Sequence, residues 1–325
     1  MSKHILISRT DGIGDVILTL PMAKHIKDAF PEVKVSFLGR SYTQAVIEGC
    51  LFVDTYLNWD ELEKLPSEQA VKRLQELQID TVLHVFPRKE VVELAKNAKI
   101  GTRVATARRW HTFSRVNKPL WYSRKKSNLH ESQLNLKMLS ALGIRPDLSL
   151  EAIADSYGLS APEVELPPLE FLDAETKIIL HPMSHGSALE WPLEKYAELA
   201  GKLVDEGIAV AISGTQKERD RMEPYFEWDR FTDLGGKLSL PQLIAVIGKA
   251  DVLVAASTGP LHIAAALQKF ALGLYTPKRP LHPGRWMPVG KQAEHIVAEI
   301  HPEDGKLPIE VDQVLGRILE WKAKR

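Results

Sequence analysis

Several things are scarce in this chain of 325 residues, and each scarcity closes off a class of protein. It has a single cysteine, Cys50, so no intrachain disulfide can form and no thiolate cluster can hold a structural zinc ion. One thiol also fits a reducing compartment. Nowhere does the chain reach the run of about 18 apolar residues that a membrane-spanning helix needs. The N-terminus passes into "KHILIS" without the hydrophobic segment and cleavage site of a signal peptide, so a cytoplasmic protein is expected. Excess charge is missing too. Lys plus Arg and Asp plus Glu number 42 each, so the whole chain is no polycation for nucleic acid, and informative charge must be local. There is no short-period repeat and no low-complexity segment.

What is present is 44% hydrophobic residues, in a length that suggests about two domains. Short β-branched runs at 4–8, 33–39, 80–86, 177–182, 208–214, 251–257 and 270–276 predict mostly buried strands. Helical patterns lie between them at 15–29, 61–77, 130–142, 192–206, 216–226, 239–248 and 260–268. This alternation predicts parallel sheets with helices on both faces. Proline-rich, weakly periodic sequence at 145–176 reads as a linker. Two α/β domains are therefore expected at 1–160 and 170–305, with a terminal helix in 306–325. Two such halves predict a cleft with a ligand at the carboxyl ends of the strands.

The first motif is "ISRTDGIGDVILTLP", residues 7–21. Gly12 and Gly14 between a strand and a helix suggest a dinucleotide fingerprint, but the third position of G-x-G-x-x-G is Ile17. The next strand, "VKVSFLGR", ends without the acidic residue that would hold a ribose. A nicotinamide dehydrogenase is therefore not supported. Asp15 remains open to two readings: a cap on the following helix, or a group that does chemistry.

The second motif is "AASTGPLHIAAAL", residues 255–267. Pro260 suits a first helical turn, and the N–H groups at Thr258, Gly259 and Leu261 would offer an anion site suited to a diphosphate, with His262 able to donate to it. The loop opening "HPMSHGSALEWPLEKYAELA", 181–200, adds donors from Ser184, Gly186 and Ser187, while Trp191 reads as a packing residue. In "SGTQKERD", Gln216 or Glu218 could hold a ribose.

These segments carry a resemblance. The opening "R-x-D-x-I-G-D-V-x-L-T-L-P", the 181–200 segment, "LGGKLSLPQLIAVIGKADVLVAASTGPLHIAAAL" and "GLYTPKRPLHP" resemble, in order and over nearly the whole chain, the heptosyltransferases of glycosyltransferase family nine. The resemblance implies the GT-B fold, two Rossmann-like α/β domains with an interdomain cleft. It implies an inverting, metal-independent transfer of heptose from ADP-L-glycero-D-manno-heptose to a lipopolysaccharide core acceptor, without a resident cofactor. The N-terminal domain would hold the acceptor and the C-terminal domain the nucleotide sugar. The terminal helix would pack back on the first domain.

By the same resemblance Asp15 is the general base, with Gly14 beside the acceptor. Ser184, Ser187, Gln216, Thr258, Gly259, Pro260, Leu261 and His262 form the donor site. Two positions depart from the family pattern. Ser257 stands where Asp-Thr-Gly is common, and Leu189 stands where many members carry a lysine two residues before Trp-Pro; Lys237 or Arg285 could supply the missing cation. The rival readings are a transferase of another nucleotide sugar and a non-catalytic nucleotide-sugar-binding protein.

Between Glu93 and Glu131 there is no acidic residue, and cations such as Arg103, Arg108, Arg109, Lys125 and Lys126 alternate with Trp110, Phe113, Trp121 and Tyr122. A solvated basic loop is one reading. With no nucleic-acid motif elsewhere, the expectation is an anionic, lipid-linked saccharide acceptor bound by Arg103, Arg108 and Arg109. Transient contact with an anionic membrane surface, at the inner face of the inner membrane, goes with it.

Overall fold

Continuous apolar runs become the central strands because strands covered on both faces need apolar residues at successive positions. The computed structural model describes residues 3–107, 114–301 and 305–325. The chain divides into two units, Met1–Ser160 and Ala161–Arg325.

The first unit contains β1 (His4–Ser8), β2 (Lys34–Gly39), β3 (Thr55–Asn58), β4 (Thr81–His84), β5 (Thr102–Thr106) and β6 (Lys118–Leu120). Their order in the sheet is β3-β2-β1-β4-β5-β6, and every pairing is parallel. The second unit contains β7 (Lys177–His181), β8 (Ala209–Ile212), β9 (Thr232–Asp233), β10 (Val252–Ala256), β11 (Phe270–Tyr275) and β12 (Ala293–Val297). Its order, β12-β11-β10-β7-β8-β9, repeats the same topology, again all parallel. In each sheet the crossovers reverse direction beside the first strand, between β1 and β4 and between β7 and β10. The carboxyl ends at such a reversal splay apart and leave a crevice, which is where open α/β sheets bind ligands.

Helices bury the faces of both sheets. In Leu193–Asp205 the buried residues Tyr196, Leu199, Ala200 and Leu203 follow helical spacing. Gly259–Ala266 is apolar almost all round and is buried accordingly. The 145–176 stretch is more ordered than a linker: Ser149 caps a helix at Leu150–Ala154, and Tyr157 is buried in the first unit. The terminal helix is Val311–Ala323. Its buried face, Val311, Val314 and Ile318, joins the core of the second unit with Trp191 and Tyr196, so it is anchored there through apolar burial. Among the described residues no helix is long and apolar enough to cross a membrane.

Candidate active site

At the end of β1 the chain turns through Gly12 into the helix Ile13–Ile17, which places Asp15 in its first turn. Gly12 is the N-cap and no side chain caps the helix, so the cap reading of Asp15 fails. The carboxylate is held by Arg9 instead. Arg9 is buried, its side chain 3% exposed, and its guanidinium fans out to three carboxylates. Nε donates to Asp11 Oδ1 at 2.7 Å, Nη2 to Asp15 Oδ1, and Nη1 to Glu131 Oε1 at 2.9 Å. The second oxygen of Asp15 lies over Gly12, where an added Cβ would stand 3.3 Å from Oδ2. Burial lifts the Asp15 carboxyl to about 6. Arg9 opposes that rise, and the charges of Asp11 and Glu131 add to it. Asp15 keeps 26% of its side chain exposed, so a proton can reach it.

Gly14 lies half-buried next to Asp15, its carbonyl accepting from Leu18 N–H at 3.0 Å. Arg103, on β5, donates from Nε to the Arg115 carbonyl at 2.7 Å and from Nη1 to the Ile100 carbonyl. Arg124 pairs with Glu131, and Lys118 donates to the Ala141 carbonyl. Trp121, Lys125 and Lys126 stand exposed. Arg108 and Arg109, with Trp110 and Phe113, lie outside the described residues.

In the second unit the loops after β10, β7 and β8, three adjacent strands, come together. Ser187 Oγ donates to the Ser184 carbonyl at 2.8 Å and lies 3.4 Å from the Ser257 carbonyl, joining the first two loops. His185 Nε2 lies 3.4 Å from Glu218 Oε1, joining the third. Ser184 serves the loop itself: its N–H and its hydroxyl both donate to Glu190 Oε1, at 2.7 and 2.8 Å. His185 and Gly186 then take left-handed backbone, φ 50° and 77°, which turns the loop. Glu218 closes a capping box with Thr215, and the Gln216 amide donates to Asp220 at 2.7 Å on its own helix.

Thr258 is the N-cap of Gly259–Ala266 yet makes no capping bond; its hydroxyl is buried without a hydrogen-bond partner. Pro260 occupies the first turn, and the side chains of Leu261 and His262 are buried. Leu261 can therefore offer only its backbone N–H, one of the helix-start donors that lack an intrahelical partner. Such a cluster can receive an anion. Ser257 is half-buried and the nearby Tyr275 hydroxyl donates to the Trp286 carbonyl at 2.5 Å, while Leu189 packs against the apolar core. Of the two candidate cations, Lys237 is paired with Asp233 at 2.9 Å and Arg285 lies over the Trp286 ring.

Sequence reasoning missed Arg9, Glu131 and Glu190 as organisers of these sites. Only Arg9 left a signal, a charge directly after a buried strand.

The family model for Glycosyltransferase family 9 (heptosyltransferase) matches residues 71–307. The lipopolysaccharide core heptosyltransferase OpsX of Haemophilus influenzae is 24% identical over 293 residues, covering 86% of this chain and 80% of that protein. Lipopolysaccharide heptosyltransferase 1 of Escherichia coli K12 is 25% identical over 302 residues, covering 85% and 89%. In three dimensions the E. coli heptosyltransferase WaaC with ADP superposes with a TM-score of 0.73 at 20% identity, over 98% of this chain and 99% of that one. That likeness bears out the GT-B, α/β fold class.

Proposed function

The chain belongs to glycosyltransferase family 9, and from that premise we propose that it transfers L-glycero-D-manno-heptose from its ADP-activated form to a phosphorylated, lipid-linked saccharide of the lipopolysaccharide core, with inversion. The coarser statement, a glycosyltransferase of the heptosyltransferase family, follows from the membership and the heptosyltransferase relatives.

The observation that carries the finer reading is the state of Asp15, with one oxygen held by Arg9 and the other over Gly12. In this reading the acceptor hydroxyl oxygen bonds to the anomeric carbon while the bond from that carbon to the diphosphate oxygen breaks on the opposite face. Asp15 takes the hydroxyl proton, and the electron pair leaves with the diphosphate. Thr258, the N–H groups of Gly259 and Leu261 in the turn opened by Pro260, and His262 receive the growing charge. Ser184 and Ser187 shape the loop beside them, and Gln216 is assigned to the ribose. The acceptor is assigned to the first unit, near Gly14 and the basic segment that includes Arg103, Arg108 and Arg109. The setting is the cytoplasmic face of the inner membrane, with transient contact to its anionic surface.

A second reading, another nucleotide sugar as donor, is favoured by Ser257 and Leu189. The first offers a neutral hydroxyl where a carboxylate is common in the family, and the second packs an alkyl group against the core where a cation would bind phosphate. Thermal stabilisation by a panel of nucleotides and nucleotide sugars separates these readings. A ligand at about a hundred times its Kd adds roughly 2.7 kcal/mol. Selective stabilisation by ADP and ADP-heptose supports heptose transfer. A response to a UDP-, GDP- or TDP-sugar alone replaces the donor, and nucleotide binding without transfer to any acceptor points to a non-catalytic protein.

A further inference from the structure

Around Asp15 the hydrogen bonds form a closed circuit. The Asp15 side chain joins Arg9, and Arg9 Nη1 reaches both Glu131 and Asn135 Oδ1, the latter at 3.4 Å. Asn135 Nδ2 donates to the Leu18 carbonyl at 2.9 Å and to Thr19 Oγ1 at 3.1 Å. Thr19 Oγ1 donates to the Asp15 carbonyl at 2.8 Å. The first-turn carboxylate is thus tied by its side chain and by its backbone to one distant helix, Glu131–Leu136. Arg124 backs the circuit, donating to Glu131 and, at 2.8 Å, to Asn135 Oδ1.

We infer that Arg9 and Glu131 are positioning residues for the transfer: Arg9 pins one oxygen of Asp15 so that the other meets the acceptor hydroxyl, and Glu131 fixes Arg9. The inference rests on Asp15 being the base. Its physical content is in the charges. Asp15 faces Arg9, Asp11 and Glu131, with Tyr42 donating to the Asp11 carbonyl and Arg124 behind Glu131. Among the described residues two guanidinium groups meet three carboxylates, and a proton on Asp15 lowers the negative charge that they gather. Glu131 is only 2% exposed, whereas Asp15 and Asp11 keep 26% and 25% of their side chains exposed, so a proton reaches the cluster on the Asp15 side and not at Glu131. A lysine at position 9 would keep the charge but, with one nitrogen, could not serve three carboxylates in this fan.

The test is carboxyl-carbon NMR titration of Asp15 in the intact protein, alongside heptose transfer from ADP-heptose. Glu131→Gln removes a negative neighbour and is expected to lower the Asp15 midpoint by roughly one pH unit; Arg9→Gln removes a positive one and raises it by a similar amount. Arg9→Lys, which covers the case that Arg9→Gln does not fold, is expected to lower kcat roughly tenfold or more with KM unchanged. Midpoints that stay put or move in the same direction, or an Arg9→Lys variant with normal kcat, overturn the positioning role alone. An Asp15→Asn variant at full rate overturns the base reading and the positioning role with it.

Discussion

Arg9 and Asp15, six residues apart, are bonded side chain to side chain at the carboxyl end of β1, and the Asp15 carboxyl nevertheless stands near 6 rather than its ordinary 3.8. Burial is the largest cause, and Arg9 only partly offsets it. Activity and stability should therefore respond to pH in opposite directions. The base must be ionised, so kcat/KM is expected to rise with pH through about 6. The folded state holds the Asp15 proton more tightly than the unfolded chain does. Stability from this group is therefore complete below about pH 4 and is lost as pH rises through about 6. Melting curves for wild type and Asp15→Asn should show the balance moving in the variant's favour, by about 1 to 3 kcal/mol between those limits.

Thr258 separates binding from folding. Its hydroxyl is buried without a partner in the free protein, so Thr258→Val should leave the melting temperature unchanged or raise it. If that hydroxyl meets the donor diphosphate, ADP affinity should fall roughly tenfold or more, because bonds to charged groups are the stronger ones. Calorimetric titration with ADP checks the second half and thermal melts the first.

Trp191 is structural. It is buried, donates its indole N–H to the Ile309 carbonyl at 2.9 Å, and meets Tyr196 edge to face at 4.8 Å between centroids. Trp191→Ala should destabilise the second unit by about 3 to 5 kcal/mol. Trp191→Phe should cost less, because Lys195 also donates to that carbonyl, at 2.7 Å. Denaturant melts followed by near-ultraviolet circular dichroism would report both.

The central strands were legible because burial on both faces demands unbroken apolar sequence, as in "HILIS" and "FALGLY". β3 and β12 were not, since as edge strands they expose part of each residue and lack that signature; two-residue β9 has too little sequence to show one. The single helix expected at 15–29 is two, Ile13–Ile17 and Pro21–Ala29, because Pro21 begins a helix far more easily than it continues one. At the site, Asp15 and Thr258 were visible as local motifs. The Arg9–Glu131 pair was not: its partners are 122 positions apart, and no local pattern records a contact that only the fold creates.

The measurement that bears most directly on the proposed chemistry is heptose transfer from ADP-heptose by wild-type and Asp15→Asn protein, with ADP affinity determined for both. Turnover is expected to fall by roughly a hundredfold or more while ADP affinity stays the same. An Asn variant that turns over at the wild-type rate would contradict Asp15 as the base.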